Sequence, residues 1–324
     1  PRSASRHWFK RHYTMTNNTV RKDCIQVAAF YKFVPLDDIA DLQQDIRKIC
    51  EGSDVLGTIL LAQEGINGTV AGPADELNSL FEFLDQYPAF ENLEKKISYT
   101  SRNPFYRLKV RLKKEIVTLG VDGIDPAKVV GEYIAPEDWN ELISQPDVRL
   151  IDTRNDYEVG LGSFNGAENP ETRSFRDFPA WVETNLDIEK DKKVAMFCTG
   201  GIRCEKSTAL LKQLGYRNVY HLEGGILNYL EKVPADESMW RGDCFVFDNR
   251  VTVDHDLAEG RYELCPACRM PLSEEDRESA KFEKNISCPK CFDRLTPERK
   301  ASLKERGRQI ELAAARGEKH IGRR

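Results

Sequence analysis

Apolar residues in the first third of the chain alternate between the two-residue period of strands and the longer period of helices. In chain order, the pattern predicts the strand Ile25–Val34, the helix Leu36–Cys50, the strands Gly57–Leu61 and Gly68–Ala71, the helix Glu76–Leu84 and the strands Arg107–Lys113 and Ile116–Leu119. The stretch Glu64–Gly68 ends in Asn-Gly, which favours a hairpin turn. This β-α-β-β-α-β order predicts a ferredoxin-like α+β sheet covered by helices on one face.

From about Gly131 the pattern changes to short apolar strands that are separated by helices. The predicted strands are Val148–Asp152, Val194–Cys198 and Val219–Leu222, and the predicted helices are Ala135–Leu142, Phe178–Leu186, Glu205–Leu214 and Ile226–Leu230. Such alternation is typical of a parallel, doubly wound α/β sheet. The sequence therefore predicts an α+β domain followed by an α/β domain.

The chain has 324 residues, enough for two or three domains. We divide it into a basic extension (1–23), a ferredoxin-like domain (24–125), an α/β domain (126–242), a cysteine-rich module (243–293) and a basic tail (294–324). Residues 1–23 show no period, and we expect them to lack regular structure. Met15 is a candidate natural start, which would make residues 1–14 an added segment; a native basic arm is the alternative.

Cysteine use and the lack of long apolar runs bear on the compartment. The nine cysteines are an odd number, and four of them form two C-x-x-C pairs in a large, charged chain. This usage is typical of reduced cysteines that have a chemical role. The sequence contains neither an apolar run of about 18 residues nor a leader-like segment. We therefore expect a cytoplasmic protein without a membrane span.

Charge is distributed unevenly along the chain. The formal net charge is −5, yet residues 1–22 and residues 294–324 each carry +6, which leaves −17 on residues 23–293. Within this acidic body, strict alternation places four cations on one face of a predicted strand: Arg107, Lys109, Arg111 and Lys113. We expect this basic row to contact RNA phosphates. A solvated edge strand protected by its charges is the alternative, and the basic tail is likewise open between RNA binding and a solvated helix.

A glycine-rich loop follows the apolar strand that ends at Phe197, and an amphipathic helix follows the loop. Its residues are Cys198, Thr199, Gly200, Gly201, Ile202 and Arg203. Ligands of parallel sheets bind at the carboxyl ends of strands, and two glycines let consecutive N–H groups form an anion-binding nest. The nest, the helix N-terminus and Arg203 favour a thiolate. We therefore predict that Cys198 is a nucleophile, and an inert cysteine at a strand end is the alternative.

Several motifs of the α/β region together resemble a rhodanese domain. They are Ile151–Glu158, Gly166-Ala167 with Pro170, Cys198–Arg203 and Leu222–Gly225. The resemblance implies that Cys198 carries a covalent sulfur intermediate. It implies a supporting ion pair for Asp152 and Arg154, which we interpret as structural. Cys204 could be a resolving thiol, a second nucleophile or a helix residue only, and we favour a structural role.

Motifs throughout residues 24–292 resemble the bacterial tRNA uridine-34 hydroxylase family. They are Glu64–Gly68, Phe175–Pro179, Cys198–Lys206 and Gly242–Val251. The resemblance implies oxygen-dependent conversion of the wobble uridine of tRNA to 5-hydroxyuridine. Addition of the Cys198 thiolate to C6 of uracil, which makes C5 nucleophilic, is a hypothesis for the chemistry. Recognition of the anticodon would require an unstacked base.

Two other functions remain open at this point. One is a sulfurtransferase that passes persulfide sulfur from Cys198 to an acceptor, and the other is a non-catalytic RNA- or protein-binding scaffold. The sequence has no flavin or nicotinamide fingerprint, since Glu223-Gly224-Gly225 is not G-x-G-x-x-G. It indicates no particular protein partner.

Four cysteines near the C-terminus form the pattern C-x-x-C-x₁₉-C-x-x-C. They are Cys265, Cys268, Cys288 and Cys291. This spacing is typical of a four-thiolate zinc site, and four thiolates leave no open position for catalysis. The polar residues between the pairs cannot build a core, so a structural zinc would supply stability. Free thiols in a flexible tail or a redox pair are the alternatives.

Overall fold

The structure is a computed structural model that describes residues 24–317. The predicted extension 1–23 and the end of the basic tail lie outside the described residues. Within residues 24–317, no helix combines the length and the apolar character needed to cross a bilayer. The described residues form an α+β domain, a parallel α/β domain and a small cysteine-rich module, so the predicted fold class is confirmed.

The N-terminal domain is built on one five-stranded sheet. Its elements are β1 (Ile25–Phe33), α1 (Ile39–Ile49), β2 (Leu56–Ala62), β3 (Gly65–Gly72), α2 (Ala74–Leu84), β4 (Lys95–Thr100) and β5 (Leu108–Leu112). The strand order is β4-β1-β3-β2-β5. β5 runs parallel to β2, whereas the other pairs are antiparallel. The first four strands and the two helices have the predicted ferredoxin-like order.

At the end of this domain the strand predicted at Arg107–Lys113 is present, but its predicted place in the ferredoxin order and the strand predicted at Ile116–Leu119 are wrong. The fourth ferredoxin strand is β4, Lys95–Thr100, whose polar sequence offers no apolar run to detect. The basic stretch Arg107–Lys113 forms an added edge strand, and Ile116–Leu119 is irregular. Val110 is buried but Leu112 is 41% exposed, because an edge strand extends beyond the helices that cover the sheet.

The turn between β2 and β3 also differs from the prediction. Ala62 pairs with Gly65, which leaves a two-residue turn before the Asn-Gly sequence. Asn67 lies within β3, and its side-chain amide donates a hydrogen bond to the carbonyl of Ile116 at 2.9 Å. A tertiary contact, rather than turn geometry, therefore accounts for this asparagine.

Alternation along β1 gives the sheet two different faces. Ala28 and Phe30 point into the core formed with α1 and α2, where Phe30 packs edge to face on Phe81 at 5.3 Å between ring centroids. Ala29 and Tyr31 point to the opposite face, toward the second domain. The sheet therefore keeps one face free of its own helices.

The second domain is a parallel sheet with helices on both faces. Its elements are β6 (Glu132–Ile134), α3 (Pro136–Ile143), β7 (Val148–Asp152), α4 (Asp156–Val159), β8 (Gly162–Phe164), α5 (Phe178–Asn185), β9 (Lys193–Phe197), α6 (Ile202–Gln213), β10 (Asn218–Leu222) and α7 (Gly225–Lys232). The sheet order is β6-β10-β9-β7. α5 and α6 cover one face, and α3 and α7 cover the other. The predicted doubly wound arrangement is confirmed.

Short strands and two helices form the C-terminal region. They are β11 (Trp240–Gly242), β12 (Cys244–Phe245), β13 (Thr252–Val253), β14 (Glu263–Leu264), β15 (Pro271–Leu272), α8 (Glu274–Glu278) and α9 (Pro297–Ala315). β11 pairs with β8, which ties this region to the α/β domain. α9 buries Leu303 and sets Gly307 against Asn285, so the described part of the basic tail is a packed helix.

A buried cation joins the first two domains. Lys206 on α6 is 2% exposed, and its ammonium lies 2.8 Å from a carboxylate oxygen of Glu64 and 2.6 Å from one of Glu115. Glu64 also accepts the backbone N–H of Ile116. Because a buried ammonium requires compensating charge, this cluster fixes the N-terminal domain against the helix that follows the Cys198 loop.

Candidate active site

Cys198 lies at the carboxyl end of β9, where the loop that contains it turns into α6. The side chain is fully buried, and its sulfur accepts a hydrogen bond from the backbone N–H of Gly201 at 3.2 Å. Gly201 has φ of 101°, a conformation that favours glycine. The loop therefore directs backbone N–H groups toward the sulfur, as its sequence predicts.

The start of α7 is hydrogen-bonded to the backbone of this loop. The N–H groups of Ile226 and Leu227 donate to the carbonyls of Cys198 and Thr199 at 2.9 and 3.1 Å. Gly225 has φ of 68°, and a Cβ there would lie 2.5 Å from the carbonyl oxygen of Cys198. The carbonyls of Cys198 and Thr199 are thus hydrogen-bonded to α7, whereas the N–H of Gly201 points to the sulfur.

The surroundings of Cys198 favour its thiolate. Burial acts to raise its pKa, but three effects outweigh burial: a hydrogen bond from the Cys204 thiol, the positive charge of Arg203 and backbone N–H groups at the start of α6. The pKa of Cys198 therefore lies below its ordinary value. A thiolate at neutral pH is the nucleophilic form of cysteine.

Cys204 interacts with Cys198, and each of the two cysteines shifts the pKa of the other. Its side chain is fully buried on the first turn of α6, with the hydroxyl oxygen of Thr153 at 3.7 Å from its sulfur. Burial and the neighbouring Cys198 raise the pKa of Cys204 well above its ordinary value. Cys204 is therefore a thiol that donates a hydrogen bond, which fits a supporting role.

Arg203 is held by a carboxylate. Its guanidinium makes two hydrogen bonds to Glu158, at 2.7 and 2.8 Å, and a longer one to the hydroxyl of Thr199 at 3.4 Å. Glu158 is fully buried on α4. Arg203 is predicted to stabilise a negative sulfur. Because its guanidinium donates hydrogen bonds to Glu158 and Thr199, it would act on the sulfur through its charge.

Asp152 and Arg154 form a fully buried ion pair at 2.6 Å. Arg154 also donates to the carbonyl of Gly162, and Asp152 accepts the hydroxyl of Ser163. The pair thus joins the end of β7 to β8. This arrangement fits the structural interpretation of the two residues.

A cavity of about 830 Å³ opens over Cys198 between the two domains. One wall is the loop itself, including Thr199, Gly200, Ile202 and Arg203. The opposite wall is the helix-free face of the N-terminal sheet, which contributes Ala29, Tyr31, Phe33, Thr58, Leu60, Asn67, Thr69 and Lys96. The N-terminal domain therefore builds half of the site.

Lys96 is a cation in this wall that the sequence did not reveal. Its ammonium donates to the carbonyl of Gly224 at 2.6 Å, at the entrance to α7. Burial lowers the pKa of Lys96 to about 8, while nearby negative groups, Cys198 among them, act in the opposite direction. The residue thus brings a positive charge, carried by β4, close to the sulfur.

Two tyrosines and a glutamate close the interface beside Lys96. Glu205 on α6 accepts hydrogen bonds from the hydroxyls of Tyr31 and Tyr133, at 3.0 and 2.8 Å. Burial raises the pKa of Glu205 despite these bonds. Tyr31 also closes the space at Gly201, where an added Cβ would lie 2.7 Å from its hydroxyl. The three side chains fix the loop against the N-terminal sheet.

The four cations of the predicted basic row do not all line the same space. Lys113 lines the cavity over Cys198, whereas Arg107 and Lys109 line a second cleft outside it. Arg111 is exposed at the strand edge. The row is divided because β5 ends at the junction between the two spaces.

The four C-terminal cysteines converge on one point. Their sulfur atoms all lie within 4.8 Å of one another. The sulfurs of Cys265 and Cys291 are 3.8 Å apart, and those of Cys268 and Cys288 are 3.6 Å apart. Tetrahedral zinc with bonds of about 2.3 Å places its sulfur ligands about 3.8 Å apart. The residues present therefore fit a zinc ion held by four thiolates.

Comparison with known proteins assigns the family. The UPF0176 acylphosphatase like domain matches residues 25–116, and the Rhodanese-like domain matches residues 135–232. The tRNA uridine(34) hydroxylase of Teredinibacter turnerae (strain ATCC 39867 / T7901) is 57% identical over 298 residues, which cover 92% of this chain and 93% of that protein. The chain belongs to the tRNA uridine(34) hydroxylase family. The resemblance indicated by its motifs is thereby confirmed.

Solved structures align with about a third of this family member. A rhodanese-related protein from Thermoplasma volcanium is 26% identical and covers 32% of this chain and 93% of its own, at a TM-score of 0.27. A rhodanese-like domain from Anabaena sp. is 16% identical and covers 35% and 80%, at a TM-score of 0.29. At these scores neither alignment supports an inference.

The motifs that indicated the tRNA uridine(34) hydroxylase family meet in space. Glu64 binds Lys206 behind the loop, whereas Phe175, Phe247 and Arg250 line the cavity over Cys198. The sequence analysis missed Lys96 and Tyr31 because each is one polar residue in a strand, with no motif around it. The alternation of β1 was the available signal for Tyr31, and β4 offered none for Lys96.

Proposed function

We propose that this chain converts uridine 34 of tRNA to 5-hydroxyuridine in an oxygen-dependent reaction in the cytoplasm. The observation that carries the proposal is Cys198, whose sulfur accepts the Gly201 N–H and whose pKa is lowered, at the wall of a cavity between two domains, in a chain 57% identical to a tRNA uridine(34) hydroxylase. The described residues that surround the sulfur supply the charge and hydrogen bonds that such chemistry requires.

The cavity suits a single nucleotide that has left its stack. Its volume of about 830 Å³ lies within the range of about 300–1,000 Å³ that is typical of small-ligand pockets. Phe105 and Phe247 line it, and Phe247 is 60% exposed. Aromatic side chains bind unstacked bases by stacking. A paired base would not expose C6 to Cys198, so the anticodon loop is the fitting part of tRNA.

The first chemical step that we propose is addition of the Cys198 sulfur to C6 of uracil. The new S–C6 bond forms as the C5–C6 π electrons move toward the O4 carbonyl, which becomes an enolate with nucleophilic character at C5. The Lys96 ammonium lies in the same cavity and would stabilise that oxyanion. Loss of the C5 proton and cleavage of the S–C6 bond later regenerate the thiolate and the aromatic base.

Oxygen and a reductant complete the balance. Uridine, O₂, two electrons and two protons give 5-hydroxyuridine and water. The two electrons come from an external thiol reductant, which leaves as a disulfide. Cys198 itself is unchanged over the cycle because it enters and leaves as the thiolate.

The test is mass spectrometry of tRNA nucleosides after incubation under ¹⁸O₂ with a thiol reductant. We expect heavy oxygen in 5-hydroxyuridine from the unaltered protein, and its loss from both Cys198→Ala and Cys198→Ser. Cys24→Ser is the matched control, because Cys24 is exposed and does not line the cavity. Full modification by Cys198→Ser would contradict the proposal.

A sulfurtransferase remains the second candidate because residues 135–232 match the rhodanese model. In that activity Cys198 would carry a persulfide and pass its terminal sulfur to an acceptor. A thiosulfate-to-cyanide assay measures it directly. Strong turnover together with unmodified tRNA would favour this function, and absence of both activities would favour a non-catalytic scaffold.

A further inference from the structure

A second cleft of about 710 Å³ adjoins the cavity over Cys198. Phe105 and Phe247 line both spaces, so the two are continuous at these aromatic side chains. Its walls come from parts of the chain that are distant in sequence: β5 and the residues before it, Thr58 of β2, Tyr157 of α4, the cysteine-rich module and α9. A strand that enters the cavity from this side would pass through the cleft.

The cleft is strongly basic. Four cations line it: Arg107 just before β5, Lys109 in β5, Arg269 from the cysteine-rich module and Arg306 from α9. Among the described residues, none of the four forms an ion pair with an Asp or Glu. The acid in the lining, Asp248, is already paired with Arg250 at 2.6 Å.

The electrostatics show that these cations are close neighbours. Burial lowers the pKa of Lys109, and the positive charges of Arg107, Arg111 and Arg269 lower it further. A cluster of this kind, without acidic partners, attracts anions even on a chain of net charge −5. Phe247 and Tyr106 beside it are 60% and 52% exposed, and exposed rings stack on bases.

We infer that this cleft binds the phosphate backbone of the RNA strand next to the nucleotide that occupies the Cys198 cavity. The inference rests on the proposed function, and it adds the cysteine-rich module and α9 to the RNA-binding surface. Cations that follow phosphates, together with aromatic side chains that accept bases, are the usual features of sites for single-stranded nucleic acid.

The cysteine cluster gives Arg269 its place in this cleft. Arg269 directly follows Cys268, has φ of 64°, and donates its backbone N–H to the carbonyl of Cys265 at 2.9 Å. The knuckle that carries two metal-binding sulfurs therefore also carries a phosphate-binding guanidinium. Loss of the metal from the module should weaken RNA binding through this residue.

The test measures binding of a tRNA anticodon stem-loop to the full chain over a series of salt concentrations. We expect Arg269→Gln and Arg306→Gln each to raise Kd about five- to eightfold near 0.1 M salt, because each removes one phosphate contact. The slope of log Kd against log salt should fall by about 0.7–0.9 for each variant.

Two matched controls isolate the cleft from total charge. Lys284→Gln removes a cation from the same module, and Lys304→Gln removes one from the same helix; both lysines are exposed and outside the cleft. The controls should stay within about twofold of the unaltered chain, since general attraction alone is weak. Equal effects in the controls and the cleft variants would overturn the inference.

Two further measurements separate this inference from its rivals. Polyglutamate that competes as well as RNA of equal charge would indicate an acidic protein partner and would overturn the inference. If the unaltered chain makes no 5-hydroxyuridine but the cleft variants still lose affinity, the proposed function fails and the binding site stands.

Discussion

Buried and half-buried cysteine sulfurs lie in two contrasting surroundings in this protein. Cys198 accepts hydrogen bonds from the Gly201 N–H and the Cys204 thiol, and it borders an open cavity. The four sulfurs of the cysteine-rich module face one another within 4.8 Å. In the first place the lone pairs remain available to a substrate, and in the second they converge where an ion fits.

The difference shows that neighbouring groups, rather than burial, decide what a cysteine does. Burial acts on both groups by opposing the thiolate. At Cys198 backbone dipoles and a guanidinium offset that effect, and the negative charge is left for chemistry. In the module a metal ion would offset it, with all four sulfurs coordinated, so that the charge serves stability.

The largest expected effect is removal of metal from the module. Structural zinc in small modules contributes on the order of 10 kcal/mol, so a strong chelator should unfold the region around Cys265–Cys291. Hydrogen exchange should rise there and stay unchanged in β9 and α6. If the module keeps its protection from hydrogen exchange after chelation, its four sulfurs do not stabilise it through a metal ion, and the contrast with Cys198 is wrong.

The next largest effect concerns the pH dependence of the alkylation of Cys198. The thiolate is the reactive form, so a lowered pKa keeps the sulfur reactive until the pH falls through that lowered value. Between pH 8 and pH 6 alkylation of Cys198 should change by less than about twofold, whereas a thiol of pKa about 8.5 slows nearly a hundredfold. Iodoacetamide rates followed by peptide mass spectrometry measure this. An ordinary pH profile would mean that the loop does not stabilise the anion.

A tenfold effect is expected from Lys96. Its pKa of about 8 means that the ammonium is present at pH 7 and is lost as the pH rises through 8. If the cation stabilises the enolate, hydroxylation at saturating tRNA should fall about tenfold between pH 7 and pH 9. Lys96→Arg should retain its charge and abolish this decline. A decline of the same size in Lys96→Arg would show that another group titrates.

The smallest expected effect is that of Cys204 substitutions on the alkylation of Cys198, and it tests whether Cys204 is a hydrogen-bond donor or a reactant. Its thiol donates a hydrogen bond to the Cys198 sulfur, and one such bond is worth about 1 kcal/mol, or about fivefold. Cys204→Ala should raise the pKa of Cys198 by about 0.7, so the pH at which Cys198 alkylation is half-maximal moves up by that amount while the rate at pH 7 changes little. Cys204→Ser keeps a donor and should leave that pH close to its value in the unaltered chain. A total loss of hydroxylation in Cys204→Ser would instead make Cys204 a reactant.

Local patterns predicted much of this molecule. The period of apolar residues located three of the four strands of the parallel sheet, missing the short β6, and Val148–Asp152 was placed to the residue. The spacing of the C-x-x-C pairs indicated the four-sulfur cluster. Glycines at the Cys198 loop indicated an anion nest, and the Gly201 N–H donates to the sulfur. In each case the information lies within one short stretch of chain.

The errors share one physical origin. β4 has no apolar run, because Ile97 is its one residue that packs against the core of this domain, whereas Lys96 lines the cavity. Asn67-Gly68 reads as a turn, yet Asn67 is held in a strand by its bond to Ile116. Ile116–Leu119 was predicted as a strand, yet this stretch is irregular, and Ile116 accepts the Asn67 amide and donates its N–H to Glu64. Tertiary partners overrode local preference at each position.

The sequence by itself determined the order of elements, the reactive loop and the cysteine pairs, because hydrophobic period, glycine conformation and ligand spacing act over a few residues. Only the tertiary structure decided that Lys96 and Tyr31 face Cys198, and that Arg107, Arg269 and Arg306 share a cleft. These groups come from separate domains, and their proximity depends on how two sheets and a helix pack. The spacing of these residues along the chain therefore does not predict that their side chains lie close together.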